Sequence, residues 1–505
     1  MPAQAEPEPQ SEQYFSTRAP SSIAMPVNIP FAQYNVLSSS LCEPTWYTES
    51  PAQDLPGEVR LPRVLAKLQA QIDASNGRVI IALQEVSMLW LGPLDAWFSE
   101  RGYKFVCSLY GNQKNDYMGV ALAAPLAAYD VLQVAVSCPA TAQSWGRAPN
   151  PGRPGDWLCP SCGANCFASR DTCFKCKTPK PSDLGDKLKA ALEQLRALLL
   201  LVIGAVTLSA LWLPAARWVL ELLGLYTPPK PKRFGRPKKT PFEQAQDKFN
   251  RLIYFRLRPR QGAGEEFGVA TYHMPCVFWE PSVMVIHAAL CAQRTRTLAA
   301  GAPHVLLGDF NFKPGDAAYR LVTEGALDDL DPAYPEPPDW EPWRPELEAP
   351  MTSAYAALGG EPAFTNHTVS GMNPAPFTDT LDYIFYSEGF AALSALPTPP
   401  SSPLIERCKA PQPGLSGPPS GEPPAPVGDL SAELAAAGVP FCPNAQEPSD
   451  HILIAAELQL GAPAARRQAK PKATSRRKSR AKSRAKSRSA SPPPASGLRR
   501  SSRLR

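Results

Sequence analysis

Between His304 and Asp316 the chain reads HVLLGDFNFKPGD, an apolar run that ends on a carboxylate and an amide. Val305, Leu306 and Leu307 predict a short buried strand, broken by Gly308, with Asp309 and Asn311 leaving its end. Strand alternation puts those two side chains on one face, which suits one shared polar target better than a core. The oddity recurs at other strand ends. Asn35 closes one run, Glu85 follows VIIAL, His273 follows GVATY, Asp382 opens DYIFYS, and Asp450 and His451 precede ILIAAEL. One such Asp or His is ordinarily a cap, a turn residue or a satisfied structural group. Their recurrence in one chain points to a shared rim, where carboxylates, amides and imidazoles suit a hard cation and a phosphate. In-line attack on a phosphodiester needs a positioned water, a metal to spread charge and fixed donors for the equatorial oxygens.

The elements that must hold these residues are mostly strands. VNIPFAQYNVL, RVIIALQEV, MGVALAA, DVLQVAV, RLIYFRLRP, FGVATYHM, HVLLGDFN, LDYIFYS and HILIAAELQL all read as strands. Helical spacing intervenes, as at Leu61, Val64, Leu65 and Leu68. Many strands with few helices predict an α/β fold, a two-sheet β-sandwich flanked by helices, rather than a purely parallel sheet. Residues 1–25 are expected to be disordered, 26–136 and 246–460 to form the body, and 395–447 to be a Pro-rich solvated loop outside its core.

The 505 residues include 59 Pro and 32 Gly, more than a packed core would use throughout. A net charge of +6 conceals an asymmetry. Arg466 to Arg505 carries 16 of the 52 Lys and Arg residues and no Asp or Glu. The remaining 36 basic residues face 46 acidic ones, so the rest of the chain stands near −10. Such a body repels a polyanion unless metal ions or basic appendages intervene, and the Ser/Arg/Lys tail at 461–505 is one such appendage. The scattered cysteines and the acidic, Pro-rich start predict a reducing, intracellular setting, nucleus or cytoplasm, without a signal or transit peptide.

Within 154–181, Cys159 and Cys162 are separated by ten residues from Cys173 and Cys176. Two close thiolate pairs can close a tetrahedral Zn²⁺ site, and so short a module needs the ion to fold. Trp157, FAS and TPKP give this segment a resemblance to the Ran-binding-protein type zinc finger, some of whose members bind single-stranded RNA and others ubiquitin or Ran. Arg170 matches a family arginine that can pair with guanine. Cys166 stands in place of the usual Asn, and Ser169 where RNA binders often carry Trp or Arg. The resemblance implies RNA contact through Arg170 and Trp157, or else a protein partner.

The segment 188–226 contains ALLLLVIGAVTLSALWLPAA, 20 uncharged residues between Arg196 and Arg217. Its length suits a membrane span. A single crossing would place Asn35 and Glu85 on the opposite side from the other site residues, so a membrane-dipping or surface-lying anchor fits better. A helix packed on the body or on a partner, or a mis-spliced segment, are the other readings. PKPKRFGRPKK, within a basic linker at 227–245, suits anionic lipid, a nuclear address or nucleic acid.

Taken in order, Asn35, Gln84-Glu85, His273, Gly308-Asp309-Phe310-Asn311, Leu381-Asp382-Tyr383 and Ser449-Asp450-His451 resemble the endonuclease/exonuclease/phosphatase superfamily. EPAFTNHT with TLDYIFYS is similar to its branch containing the carbon-catabolite-repression deadenylases, nocturnin and the angel proteins. The resemblance implies that Glu85 holds Mg²⁺ (or Mn²⁺), with Asn35 and Asp450 supporting the same metal site. It implies that Asp309 orients or deprotonates the attacking water and that Asn311 holds a phosphate oxygen. His451, oriented by Asp382, would stabilise charge on the phosphoryl group, and His273 would contact the phosphate. Thr271 departs from the family's Asn two residues before the His. The implied activity is Mg²⁺-dependent 3′-to-5′ hydrolysis of RNA. A phosphatase for a small phosphorylated metabolite or a membrane phosphoinositide, and a non-catalytic RNA-binding adaptor, are the alternatives.

Overall fold

The computed structural model describes residues 26–146, 157–159, 161, 165–166, 169–178, 239–261, 265–370, 373–409 and 427–461. Residues 1–25, Cys162, the apolar segment at 197–216, the linker as far as 238 and the tail from 462, with the expectations placed on them, lie outside the described residues.

The strands follow the chain as β1 (Val27–Asn35), β2 (Ile80–Val86), β3 (Tyr103–Leu109), β4 (Gly119–Pro125), β5 (Tyr129–Ser137), β6 (Trp157–Leu158), β7 (Asn165–Cys166) and β8 (Leu252–Pro259). They continue as β9 (Phe267–His273), β10 (His304–Asp309), β11 (Thr352–Ser353), β12 (Asn366–Ser370), β13 (Asn373–Asp379), β14 (Asp382–Tyr386), β15 (Phe390–Ala395) and β16 (Ile454–Leu460). One 6-stranded sheet is ordered β15-β16-β1-β2-β4-β3 and the other β11-β14-β10-β9-β8-β5.

Each sheet is antiparallel except for one central pair, β1 with β2 and β9 with β10. Parallel neighbours end at the same rim, which sets Asn35 beside Gln84 and His273 beside Asp309. Antiparallel neighbours begin where those end. Asp382, the first residue of β14, therefore faces Asp309, and β16 starts just after His451 alongside the end of β1. Pairing direction alone thus gathers the polar strand ends on one rim.

Ile29, Phe31, Ile80, Ala82, Val305, Leu307 and Ile384 fill the space between the sheets. Alternate residues Ala32, Tyr34, Ile81 and Leu83 face the other way, onto Val64 and Leu68 of the helix Gly57–Ala74 and Trp90 and Phe98 of the helix Met88–Glu100. Leu306, Tyr383 and Phe385 pack against Val283, Ile286 and Leu290 of the helix Pro281–Ala299. Each large apolar side chain contributes about 1.5–3 kcal/mol on burial, so a one-residue slip of a strand would forfeit several at once.

Three features differ from expectation. Gly308 does not break its strand: β10 runs through it, because a Cβ there would lie 1.8 Å from the Tyr272 carbonyl oxygen of β9. The body reaches beyond 136 and begins before 246. Phe242 and Ala245, on the helix Pro241–Gln246, are fully buried, and Trp145 stacks edge-on against both Phe242 and Trp343. The segment 395–447 is not merely a solvated loop. Its helices Pro403–Cys408 and Val427–Ala436 place Ile405, Cys408, Leu430 and Leu434 at helical spacing on a small core with Phe364, Val369 and Phe441. Pro-rich composition masked that periodicity. Among the described residues no helix is long and apolar enough to cross a membrane.

Candidate active site

Towards the rim, the space between the sheets turns from apolar to polar in layers. Ile29 and Phe31 of β1 give way to Gln33 and Asn35, and Ile80 and Ala82 of β2 to Gln84. Val269 of β9 gives way to Thr271 and His273, and Val305 and Leu307 of β10 to Asp309. Gln33, Gln84 and Thr271 are fully buried and hydrogen-bond to one another, with Gln33 Oε1 left without a partner among the described residues. Gln33 Nε2 donates to the Gln84 side chain and, at 2.8 Å, to Asp382 Oδ1, while Gln84 Nε2 donates to Thr271 Oγ1 at 3.0 Å. Thr271 thus supplies the acceptor at the position where the family carries Asn. This amide layer caps the core and holds the carboxylates above it.

Asp309 is the hub. Asn311 N–H donates to its Oδ1 at 2.9 Å and Asn35 Nδ2 to its Oδ2 at 2.9 Å. His273 Nε2 lies 3.5 Å and His451 Nε2 3.7 Å from the same Oδ2. Burial, more than the nearby Asp382, lifts its pKa to about 6 against the pull of His451. His451 Nδ1 stands 2.7 Å from Asp382 Oδ2, which also accepts the Thr365 hydroxyl. Burial opposes a charge on His451, yet Asp382, Asp309 and Asp450 together raise its pKa well above the imidazole range. The three carboxylates thus favour the protonated ring.

Glu85 reaches the rim by a bulge. Regular alternation would send it to the helix side, opposite Gln84. The register shifts between Gln84 and Val86, and Glu85 adopts φ 57°. Positive φ costs a non-glycine residue of order 1–3 kcal/mol, a strain that collects at functional sites. Its carboxylate accepts Ser38 N–H at 3.2 Å and Asn35 Nδ2 at 3.3 Å. Asn311, among the predicted site residues, shares this conformation at φ 51°. Strand alternation therefore stops at Asp309, and it is a turn that brings Asn311 back, with Nδ2 donating to Met274 O at 3.0 Å.

The remaining predicted residues lie around this hub. His273 Nδ1 pairs with the Tyr110 hydroxyl at 2.7 Å, and its Nε2 is 4.0 Å from Glu85. Asp450 Oδ2 accepts the Tyr47 hydroxyl at 3.1 Å and Asn366 Nδ2 at 3.3 Å. Burial, with Glu85 nearby, raises the pKa of Asp450 despite His451. Asn35 is held by both ends of its side-chain amide. Its carbonyl oxygen takes Leu37 N–H at 3.0 Å, so the amide presents NH₂, a donor, to the carboxylates.

A divalent cation fits this chemistry. Glu85, Asp309, Asp382 and Asp450 crowd one rim, and Asp309 and Asp450 are both harder to ionise than usual. The site is thus short of positive charge and rich in the oxygen donors that Mg²⁺ prefers. Asp309 and Asp382 offer carboxylate oxygens within 4.8 Å of each other.

Sequence reasoning passed over several supports. Gln33 is signalled by its place two residues before Asn35 on one strand face, and Thr365 by the FTNHT run. Tyr47, Tyr110 and Arg60 carry no such signal. Fully buried Arg60 donates to the carbonyls of Val36, Leu37 and Pro448, tying the segment after Asn35 to the one before His451. In the finger region, Trp157 of β6 pairs with Cys166 of β7, and the sulfurs of Cys159, Cys173 and Cys176 lie within 4.8 Å of one another. That thiolate cluster fits Zn²⁺, with Cys162 and the Trp157 side chain outside the described residues. Cys166 is buried beside the cluster and Arg170 is exposed.

The model of the Endonuclease/Exonuclease/phosphatase family matches residues 32–451. Carbon catabolite repressor protein 4 homolog 4 of Arabidopsis thaliana is 29% identical over 206 residues, covering 38% of this chain and 37% of that protein. The CCR4-Not complex 3'-5'-exoribonuclease subunit Ccr4 of Aspergillus fumigatus is 31% identical over 157 residues, 31% of this chain and 17% of that protein. The match thus spans well under half the length of these relatives. Among solved structures, ANGEL2, a 2',3'-cyclic phosphatase, gives a TM-score of 0.49 at 14% identity over 86% of this chain and 97% of that one. The human nocturnin catalytic domain gives 0.41 at 14% identity over 87% and 96%. With the family model matched over most of its length, the chain belongs to the Endonuclease/Exonuclease/phosphatase family of phosphate-ester hydrolases.

Proposed function

We propose that this protein is a Mg²⁺-dependent phosphodiesterase that shortens RNA from its 3′ end. The observation that carries the reading is one geometry: His451 Nδ1 held 2.7 Å from Asp382, and Asp309 facing its Nε2 at 3.7 Å. A base whose pKa lies near 6 is matched to proton abstraction near neutrality. Asp309 orients a water and takes its proton on Oδ2. His451, as a donor from Nε2, offsets the charge that gathers on the phosphoryl oxygens, and His273 meets the same group from the other side. Asn311 Nδ2 keeps one hydrogen for a phosphate oxygen beyond the one it gives to Met274. Glu85 and Asp450 would hold the Mg²⁺, which when bound polarises the phosphoryl oxygen and spreads its charge.

RNA is supported by two things. A relative bears the name 3'-5'-exoribonuclease. The Lys/Arg run from Arg466, with the finger as a further RNA contact, would supply the cations that the acidic body lacks. The test is the full chain with Mg²⁺ and a 5′-labelled RNA ending in adenosines, beside Asp309→Ala. A ladder shortening from the 3′ end, absent in the variant, is the expected result. Intact RNA together with Mg²⁺-dependent phosphate release from a phosphorylated dinucleotide or an inositol lipid would overturn RNA as the substrate.

A further inference from the structure

Three aromatic side chains lie open to solvent beside the catalytic rim. Phe249 is 60% exposed, Phe278 52% and Trp279 63%, an expensive arrangement for apolar rings unless something covers them in use. Their attachment places them at the site. Asn250, next to Phe249, donates from Nδ2 to the carbonyl of His273 at 2.8 Å. Phe278 and Trp279 follow His273 in a loop whose Met274 carbonyl holds Asn311 and whose Met274 and Val277 are buried in the core. Phe278 props Trp279 edge-on, with ring centroids 5.1 Å apart. The loop is therefore anchored at its base and presents its rings outward.

Charge distinguishes this patch from an ordinary apolar one. Lys248 and Arg251 flank Phe249 in the sequence KFNR, and neither forms an ion pair among the described residues. Unpaired cations beside exposed rings are unusual on a body whose balance outside the tail is acidic. They match the two faces of a single-stranded nucleic acid, its phosphates and its bases.

We infer that Phe249 and Trp279, with Lys248 and Arg251, form a stacking platform for the RNA nucleotides on the 5′ side of the scissile bond. The inference rests on the proposed exonuclease reading and deepens it by placing the path of the substrate. Stacking tolerates any base, so the platform sets affinity and processivity rather than base choice.

The experiment compares kcat/KM of the full chain on 5′-labelled RNA of two and of ten nucleotides, for wild type, Phe249→Ala/Trp279→Ala and Phe249→Tyr/Trp279→Tyr. Each lost stack is expected to weaken the long substrate by about tenfold. The double alanine variant should therefore lose far more on the decamer than on the dinucleotide, and the tyrosine pair should recover most of it. An equal loss on both lengths, or no loss on either, would overturn the platform. So would a change of oligomeric state in the alanine variant, since the patch would then be a contact between copies. Wild type that cleaves neither length would instead refute the exonuclease reading itself.

Discussion

His451 Nδ1 and Asp382 Oδ2 lie 2.7 Å apart, with both residues at most 5% exposed, and Gln33 and Thr365 hold the Asp382 carboxylate from below. One buried carboxylate thus fixes the ring's orientation and its charge together.

Asp382→Asn keeps the shape and removes the charge. The imidazole then loses the main group that keeps it protonated, and kcat should fall about 10²–10⁴-fold with KM little altered. Steady-state kinetics on a 3′-labelled oligonucleotide check this, and a kcat within threefold of wild type would refute it.

Mg²⁺ binding has a readout independent of turnover. An ion that binds only the folded chain stabilises it by about 2.7 kcal/mol at a hundred times its Kd. Thermal melting of the wild type should rise with added Mg²⁺, while Glu85→Gln should show little rise. An equal rise in both would remove Glu85 from the metal site.

Gly308→Ala tests the close approach of β9 and β10. Its Cβ would meet the Tyr272 carbonyl oxygen at 1.8 Å, so the strands must part or the residue must strain. A loss of about 3 kcal/mol or more is expected in denaturant titration. An unperturbed midpoint would show that the sheet relaxes freely.

Burial pulls the pKa of His287 down to about 3 and that of His367 to about 4. An unfolded histidine takes a proton near 6.5, so below that pH the unfolded chain binds protons that the folded chain refuses. Stability should therefore fall as pH drops from 6.5 towards 4, by about 1.4 kcal/mol per unit for each histidine. His287→Leu should flatten that slope even where its absolute stability is lower. A slope as steep as that of wild type would contradict the assignment.

Much of the site is legible in the chain because it is written in residue types at strand ends. Asn35, Glu85, His273, Asp309, Asp382 and His451 end or begin apolar runs, so their types stand out against their neighbours. The two-sheet class follows from the same runs. What lies in irregular or masked patterns is not legible. The strands β3, β12, β13 and β15 lack long apolar stretches, and the helices inside 395–447 are hidden by surrounding prolines.

The sequence by itself determined which groups could do chemistry and which runs would be buried, since both depend on side-chain type and local periodicity. Only the tertiary structure decided how those groups meet. The direction of strand pairing brought Asp309, His273 and Asp382 to one rim. A bulge turned Glu85 inward against its alternation, a positive φ returned Asn311 to Asp309, and Leu37 N–H swung the Asn35 amide to donate. Tyr110, Tyr47 and Arg60 joined the site from distant positions. Such contacts between residues tens to hundreds of positions apart are a property of the packed whole, and no local window of sequence contains them.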